Sequence, residues 1–397
     1  MATFANERKS KLEVVRAFLK LGAMSYGGPA IMGIMQAEIQ ERRAWVSRER
    51  FVEGLALVNM LPGAAATQLA IYLGHARAGW WGGVGAGICF MLPAFVIMLA
   101  LTLLYGHFGA LPGARRIFYG FNPVVVAIFA TAVYRLGRST IKDGKQLALA
   151  AVAASPVGVT AFGIVPVLLL AGAIGVALYD VRRRGLVAAL LVVLVTGLFR
   201  PSAEWLGISS LPGIGCPGGL APGAPSLCEV GLFFLTVGAF TFGGGLSMLA
   251  FVQDQVVNQM GWLTPQQFLD GLSLGQLTPG PILMLAAFVG YQVASFWGAA
   301  VAAGAIFLPS FVLMVGALPI LERMKHLAWM KAALKGVGPA VIGLIAHVIF
   351  RMLPSAVPDL PSSLLALATV SAVLLWRLHP LPLMAGGAAV GLVLRGR

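Results

Sequence analysis

Two stretches of this chain carry residue types suited to holding an anion. Val58–Ala64 reads VNMLPGA and Leu274–Pro281 reads LGQLTPGP. Each sets a carboxamide, Asn59 or Gln276, just ahead of a helix-breaking pair, Pro62-Gly63 or Pro279-Gly280. Thr278 adds a hydroxyl to the second break, and Thr67 and Gln68 follow the first. Residues past such a break can start a new helix. Its first N–H groups have no intrahelical partner and sit at the positive end of the dipole. Buried in a membrane, that start is a place for an anion. The carboxamides donate to an oxyanion without bringing charge; their other role is to satisfy carbonyls freed by the proline.

A second pair of breaks lies ahead of these. Ser25–Pro29 matches Thr241–Gly245, each with a hydroxyl, an aromatic ring and two glycines. Gly27 and Gly28, like Gly243 and Gly244, let backbone N–H groups approach a ligand, with Ser25 or Thr241 as a further donor. The competing reading is close helix packing by small residues.

Four acids also fall in matching pairs, Glu38 with Asp254 and Glu53 with Asp270. An acid within an apolar segment is costly and points to function, here a carboxyl that couples anion movement to a proton gradient. The alternative sets Glu38 against Arg42 and Glu53 against Arg50 at the membrane interface. Arg42, Arg43 and Arg77 would attract an anion at the mouth, or serve only as loop charge. His75, His107, His326, His347 and His379 show no ligand spacing. Nucleotide loops, zinc motifs and nucleophile elbows are absent, so the sequence calls for no cofactor, no metal and no enzyme.

The elements that position these residues follow from composition. The 397 residues are 59% hydrophobic and 11% charged, with mean hydropathy +0.89. That composition specifies an all-α polytopic membrane protein, because lipid forbids unpaired backbone. The net charge of +14 sits in short loops, which reads as topology rather than nucleic-acid binding. Three cysteines are too few for a disulfide scaffold; Cys216 and Cys228 would pair if their loop faces an oxidising compartment. The charged start MATFANERKSKLEVVRAF is not a signal peptide.

An internal repeat organises the chain. FLKLGAMSYGGPA from Phe18 resembles FLTVGAFTFGGGL from Phe234, and FVEGLALVNMLPGA from Phe51 resembles FLDGLSLGQLTPGP from Phe268. The divisions are 1–145, a first repeat; 146–200, connecting helices; 201–227, a Gly/Pro-rich linker; 228–353, a second repeat; and 354–397, terminal helices. Matching loops differ in charge, as basic Glu41–Arg50 against Asp254–Gln267 with no Lys or Arg. By the positive-inside rule the repeats are inverted in topology, with broken or re-entrant helices and a site at their interface.

At SYGGPA from Ser25, AWVSRERF from Ala44, MLPGAAATQLAIYLG from Met60, GICFMLPAF from Gly87, TFGGG from Thr241 and LGQLTPGPILMLAAFVGY from Leu274, the chain resembles the chromate ion transporter family in its long two-repeat form. The resemblance implies a multi-pass inner-membrane carrier that exports chromate using the proton-motive force, with sulfate as a related oxyanion. Its partners would be the oxyanion, protons and the bilayer, with a homodimer among the open assemblies. The first repeat has Pro62-Gly63-Ala64 where the family tends to Pro-Gly-Pro, and the second has Gly243-Gly244-Gly245 without the proline. The halves are therefore expected to be functionally unequal. A sulfate or other oxyanion carrier, an anion channel and a membrane-embedded protein without transport stay as alternatives.

Overall fold

The computed structural model describes residues 2–26, 30–109, 111–155, 163–198, 216, 225–242, 245–318, 327–376 and 378–394. Gly27, Gly28, Gly243, Gly244 and most of the 201–227 linker lie outside them. The described residues are helical, with no strand among them. Among the described residues, four helical stretches are long and apolar enough to cross a membrane: Ala65–Phe108, Pro112–Thr140, Ile282–Gly316 and Ala328–Ala356. Exposed Trp81, Phe350, Leu360 and Leu375 are at home against lipid rather than water.

The first half runs α1 (Ala2–Met24), α2 (Ala30–Met35) continuing as a π segment (Gln36–Arg42), α3 (Arg48–Met60), α4 (Ala65–Phe108), α5 (Pro112–Thr140), α6 (Gly144–Ala154) and α7 (Ile164–Tyr179). Helix α8 (Arg182–Leu198) follows. The second repeats the pattern: α9 (Leu227–Ala239), α10 (Ser247–Phe251) with a π segment (Val252–Gln259), α11 (Pro265–Leu277), α12 (Leu285–Ala317), α13 (Ala328–Ala356), α14 (Leu360–Leu375) and α15 (Pro380–Leu394). The likeness extends to details. Ser47 caps α3 by accepting from Arg50 N, and Thr264 does the same for Gln267 N ahead of α11. Asp143 caps α6 and Asp359 caps α14, satisfying N–H groups that a helix start leaves open.

Helices α4 and α12 each hide a sharp turn. Ala78 and Gly79 leave helical geometry in α4, as do Ala294 and Ser295 in α12. Gly74 lies against Gly82, and Gly290 against Gly298. Residues that far apart in sequence touch only if the chain doubles back, since a straight helix rises ~1.5 Å per residue. Each is therefore a tight helical hairpin, with exposed Trp80 and Trp81, or Phe296 and Trp297, beside the turn.

The chain divides into two compact units, and each draws on both repeats. The first holds Met1–Leu103, Gly219–Gly245 and Leu274–His326. In it Gly22 of α1 meets the Phe90 backbone of α4, and Gly238 of α9 meets that of Ile306 in α12. Side chains at these glycines would not fit, and in lipid such close packing is what holds helices together. The second unit holds Leu104–Gly218, Leu246–Ser273 and Leu327–Arg397. Here the repeats swap partners: α5 packs on α14 and α15, while α13 packs on α6 and α7. Gly120 abuts Gly387 and Gly391, and at the matching place Gly336 abuts Ala171 and Gly175. Such reciprocity is what a two-fold relation between repeats requires. Cys216 and Cys228 are in disulfide linkage and Cys89 is a free thiol.

Candidate functional site

The four helix breaks meet in pairs within the first unit, each pair joining one repeat to the other. Gly63 N donates to Thr241 O at 2.6 Å, and Gly280 N donates to Ser25 O at 2.7 Å. Gly63 and Gly280 take positive φ, 119° and 94°, open to glycine and strained for other residues. A Cβ at Gly63 would strike Ser310 Oγ, and one at Gly280 would strike Ala94. Both breaks are thus crossover points where backbone meets backbone.

One position separates the crossovers. Ala64 has an N–H, which donates to Ser310 Oγ at 2.7 Å. Its counterpart Pro281 has none, and the counterpart of Ser310 is Ala94, which offers no acceptor. Donor and acceptor are present together or absent together, so neither crossover buries an unpaired group here.

The hydroxyls divide by repeat instead, paired in the second and unpaired in the first. Thr241 Oγ1 donates to Val237 O at 2.6 Å, and Thr278 Oγ1 to Leu274 O at 2.9 Å. Ser25 Oγ and Thr67 Oγ1, both fully buried, have no partner. Gln68 is held by Nε2 donating to Pro62 O at 2.7 Å, which leaves its buried Oε1 unpaired as well. The first turn of α4 adds N–H groups of Ala65, Ala66 and Thr67, since the first intrahelical bond runs from Gln68 N to Ala64 O. Unpaired buried polar groups are rare and call for a ligand or water. The first crossover thus has Thr67 Oγ1, Gln68 Oε1 and three N–H groups beside it, and the second has Ser25 Oγ; the hydroxyls both donate and accept, the amide oxygen only accepts, and none of these groups is a cation.

The other expected residues lie apart from this set. Asn59 is exposed and Gln276 half-buried, and neither side chain makes a hydrogen bond among the described residues. Arg42 and Arg43 pair with Glu38 at 3.2 and 2.9 Å, and Arg77 pairs with Glu13 at 2.8 Å. Arg43 and Arg77 also both lie over Trp45. Burial pushes the Glu38 carboxyl up, but the bonds from Arg43 and Arg42 outweigh it and hold the carboxyl below its ordinary value.

Of the second acid pair, Glu53 is exposed and Asp270 is buried in the second unit. Asp270 Oδ2 accepts from Tyr105 at 2.9 Å. Its Oδ1 accepts from Gln266 at 2.9 Å and Asn122 at 3.2 Å. Ser273 Oγ bonds Asn122 Oδ1 at 3.0 Å. Only neutral donors meet this carboxyl; it makes no salt bridge among the described residues. Sequence reasoning passed over Tyr105, Asn122 and Ser310, whose roles arise only from distant parts of the chain.

The chromate transporter family profile matches residues 12–178 and 228–392, one match for each repeat. A chromate transport protein of Cupriavidus metallidurans is 33% identical over 390 residues, covering 96% of this chain and 92% of the relative. A probable chromate transport protein of Synechococcus elongatus is 34% identical over 388 residues, covering 95% and 94%. A chromate transport protein of Pseudomonas aeruginosa is 34% identical over 334 residues, covering 83% and 77%. No solved structure matches the chain.

Proposed function

This chain belongs to the chromate transporter family, and from that premise we propose that it carries chromate across the inner membrane as a secondary transporter. The observation that supports this reading most is the buried, unpaired donor set at the crossovers: Ser25 Oγ, Thr67 Oγ1 and the first turn of α4. Its depth fits. Residues 65–77 form a helix of about 20 Å from the break to the Trp80 turn, against a hydrocarbon half-thickness of about 15 Å. With the aromatic turn at the interface, the break lies near the midplane.

A tetrahedral oxyanion bound there replaces its hydration shell with N–H and O–H donors, helped by the helix dipole. Gln68 Oε1 favours chromate over sulfate. An acceptor facing an oxyanion repels a bare oxygen and welcomes one that bears a proton. Chromate is partly protonated near neutral pH, whereas sulfate is not. Proton coupling is assigned to buried Asp270 and Asp254 rather than to Glu38, which is ion-paired, or Glu53, which is exposed. The crossovers bring the two repeats together within the first unit through single backbone bonds, and we place alternating access at this repeat interface. Export is the direction proposed.

The test is radiolabelled chromate flux in inverted membrane vesicles, with and without a pH gradient and with sulfate as competitor. Gradient-driven accumulation that falls at least tenfold in Ser25→Ala and Thr67→Val is expected. Flux that persists unchanged in both variants would move the site elsewhere. Flux without gradient dependence or saturation would make the protein a channel.

A further inference from the structure

The two π segments occupy matching places in the repeats and carry matching acids, but they treat those acids differently. In the first, Arg42 and Arg43 sit over Glu38, four and five residues on. In the second, the same places hold Asn258 and Gln259. Gln259 Nε2 donates to Asp254 Oδ2 at 2.9 Å, and Asn258 hydrogen-bonds the same carboxyl. The hydrogen bonds are kept while both positive charges are lost. Asp254 is nevertheless the more buried acid. A buried carboxylate stripped of its local cations needs its charge met from elsewhere, or needs a proton. π segments recur at functional sites because they pull side chains out of helical register.

A small, partly open cavity lies beside Asp254, lined also by Gln253, Asn258, His347 and Arg351, and walled by apolar residues including Ile164 and Ala250. It has room for about one water. His347 Nδ1 lies 2.9 Å from Ala154 O. A carbonyl only accepts, so Nδ1 carries the proton and Nε2 is the nitrogen left open. Gln253 is buried and its Oε1 has no partner. The charged or titratable groups facing this space are Asp254, His347 and Arg351. Helices α6, α7 and α10 contribute only the Ala154 carbonyl and apolar side chains. Arg351 is exposed and makes no salt bridge with Asp254 among the described residues. With His347 neutral, Nε2, Gln253 Oε1 and the Asp254 carboxylate all seek donors.

We propose that Asp254 and His347 hold a transferable proton around one water in this cavity, which makes it a proton-coupling site of the transporter. The proposal rests on the transport reading above. A proton arriving from one aqueous phase binds His347 Nε2, which then donates to the water. The water turns its own two hydrogens to Gln253 Oε1 and Asp254. Every open acceptor is then satisfied, and imidazolium faces carboxylate. Loss of the proton to the other phase restores the lone pair on Nε2. In sequence, the Thr241–Gly245 stretch immediately precedes the α10–π segment that carries Asp254.

The experiment uses the full chain in proteoliposomes with two transport readouts, accumulation driven by a pH gradient and chromate–chromate exchange without one. Asp254→Asn and His347→Gln are each expected to abolish accumulation while exchange stays within about threefold of wild type. Accumulation at wild-type level in both variants would overturn the proposal, as would wild-type accumulation driven by a sodium gradient in place of the proton gradient. Infrared difference spectra recorded across a pH series read the site without transport. Either substitution is expected to remove the same carboxylate and imidazole bands. Independent loss of separate bands would refute the shared proton. If wild type carries no chromate yet the bands behave as expected, the transport reading fails and the proton site stands.

Discussion

The paired difference at the crossovers, Ala64 with Ser310 against Pro281 with Ala94, makes a quantitative prediction. Ser310→Ala deletes the acceptor that lies 2.7 Å from Ala64 N and leaves that N–H buried. An unpaired buried donor costs about 1–3 kcal/mol, and interhelical bonds in membranes average about 0.6 kcal/mol with a maximum of about 1.7. A loss of about 1–1.5 kcal/mol is expected. Ala64→Pro removes the donor instead, and its preceding residue Gly63 has a positive φ like that of Gly280 before Pro281. The Ser310 hydroxyl, freed, can donate to a carbonyl of its own helix, so this change costs less than about 0.5 kcal/mol. The double variant rebuilds the second crossover within the first. It is expected to be more stable than Ser310→Ala alone, with a coupling of about 1 kcal/mol, a size typical of groups in direct contact. Reversible unfolding in mixed detergent micelles measures all four corners of the cycle. Strict additivity would refute the claim that these residues compensate one another.

Other outcomes follow from single features. Ala44 and Ser295 take φ of 50° and 52°, where the matching residues are Gly261 and Gly79; Ala44→Gly or Ser295→Gly should raise unfolding stability by about 1 kcal/mol each. Gly120→Ala and Gly336→Ala push a Cβ into backbone at the swapped helix contacts. Each should cost about 1–3 kcal/mol, visible as a lower midpoint in the same unfolding assay. The bond from Tyr179 and that from Gln146 N hold the exposed Asp143 carboxyl below its ordinary value. Its folded-state value being depressed, the stability it adds is present above the ordinary aspartate range and is lost as pH falls through the depressed value. Asp143→Asn should flatten that acid-side slope in an unfolding series.

Much of the architecture was legible because membrane chemistry leaves few choices. Long apolar runs must be helices, and a second copy of FLKLGAMSYGGPA or FVEGLALVNMLPGA must build a second copy of the same breaks. The polar residues themselves were less legible. Asn59 and Gln276 looked equivalent to Ser25 and Thr67 as donors, yet only the latter pair is buried without a partner. Helix periodicity at a Pro-Gly break cannot say which face turns inward, so burial of these side chains was undecided.

What the sequence alone determined is the membrane class, the two repeats and the places where helices break, because each depends on local hydropathy and backbone chemistry. What only the tertiary structure decided is which break meets which, Gly63 with Thr241 and Gly280 with Ser25. It also decided that Asp254 lies beside His347 while Glu38 is closed off by its own arginines. Those outcomes depend on contacts between residues far apart in the chain. Matching acids in matching motifs can therefore be alike in sequence and opposite in electrostatic surroundings.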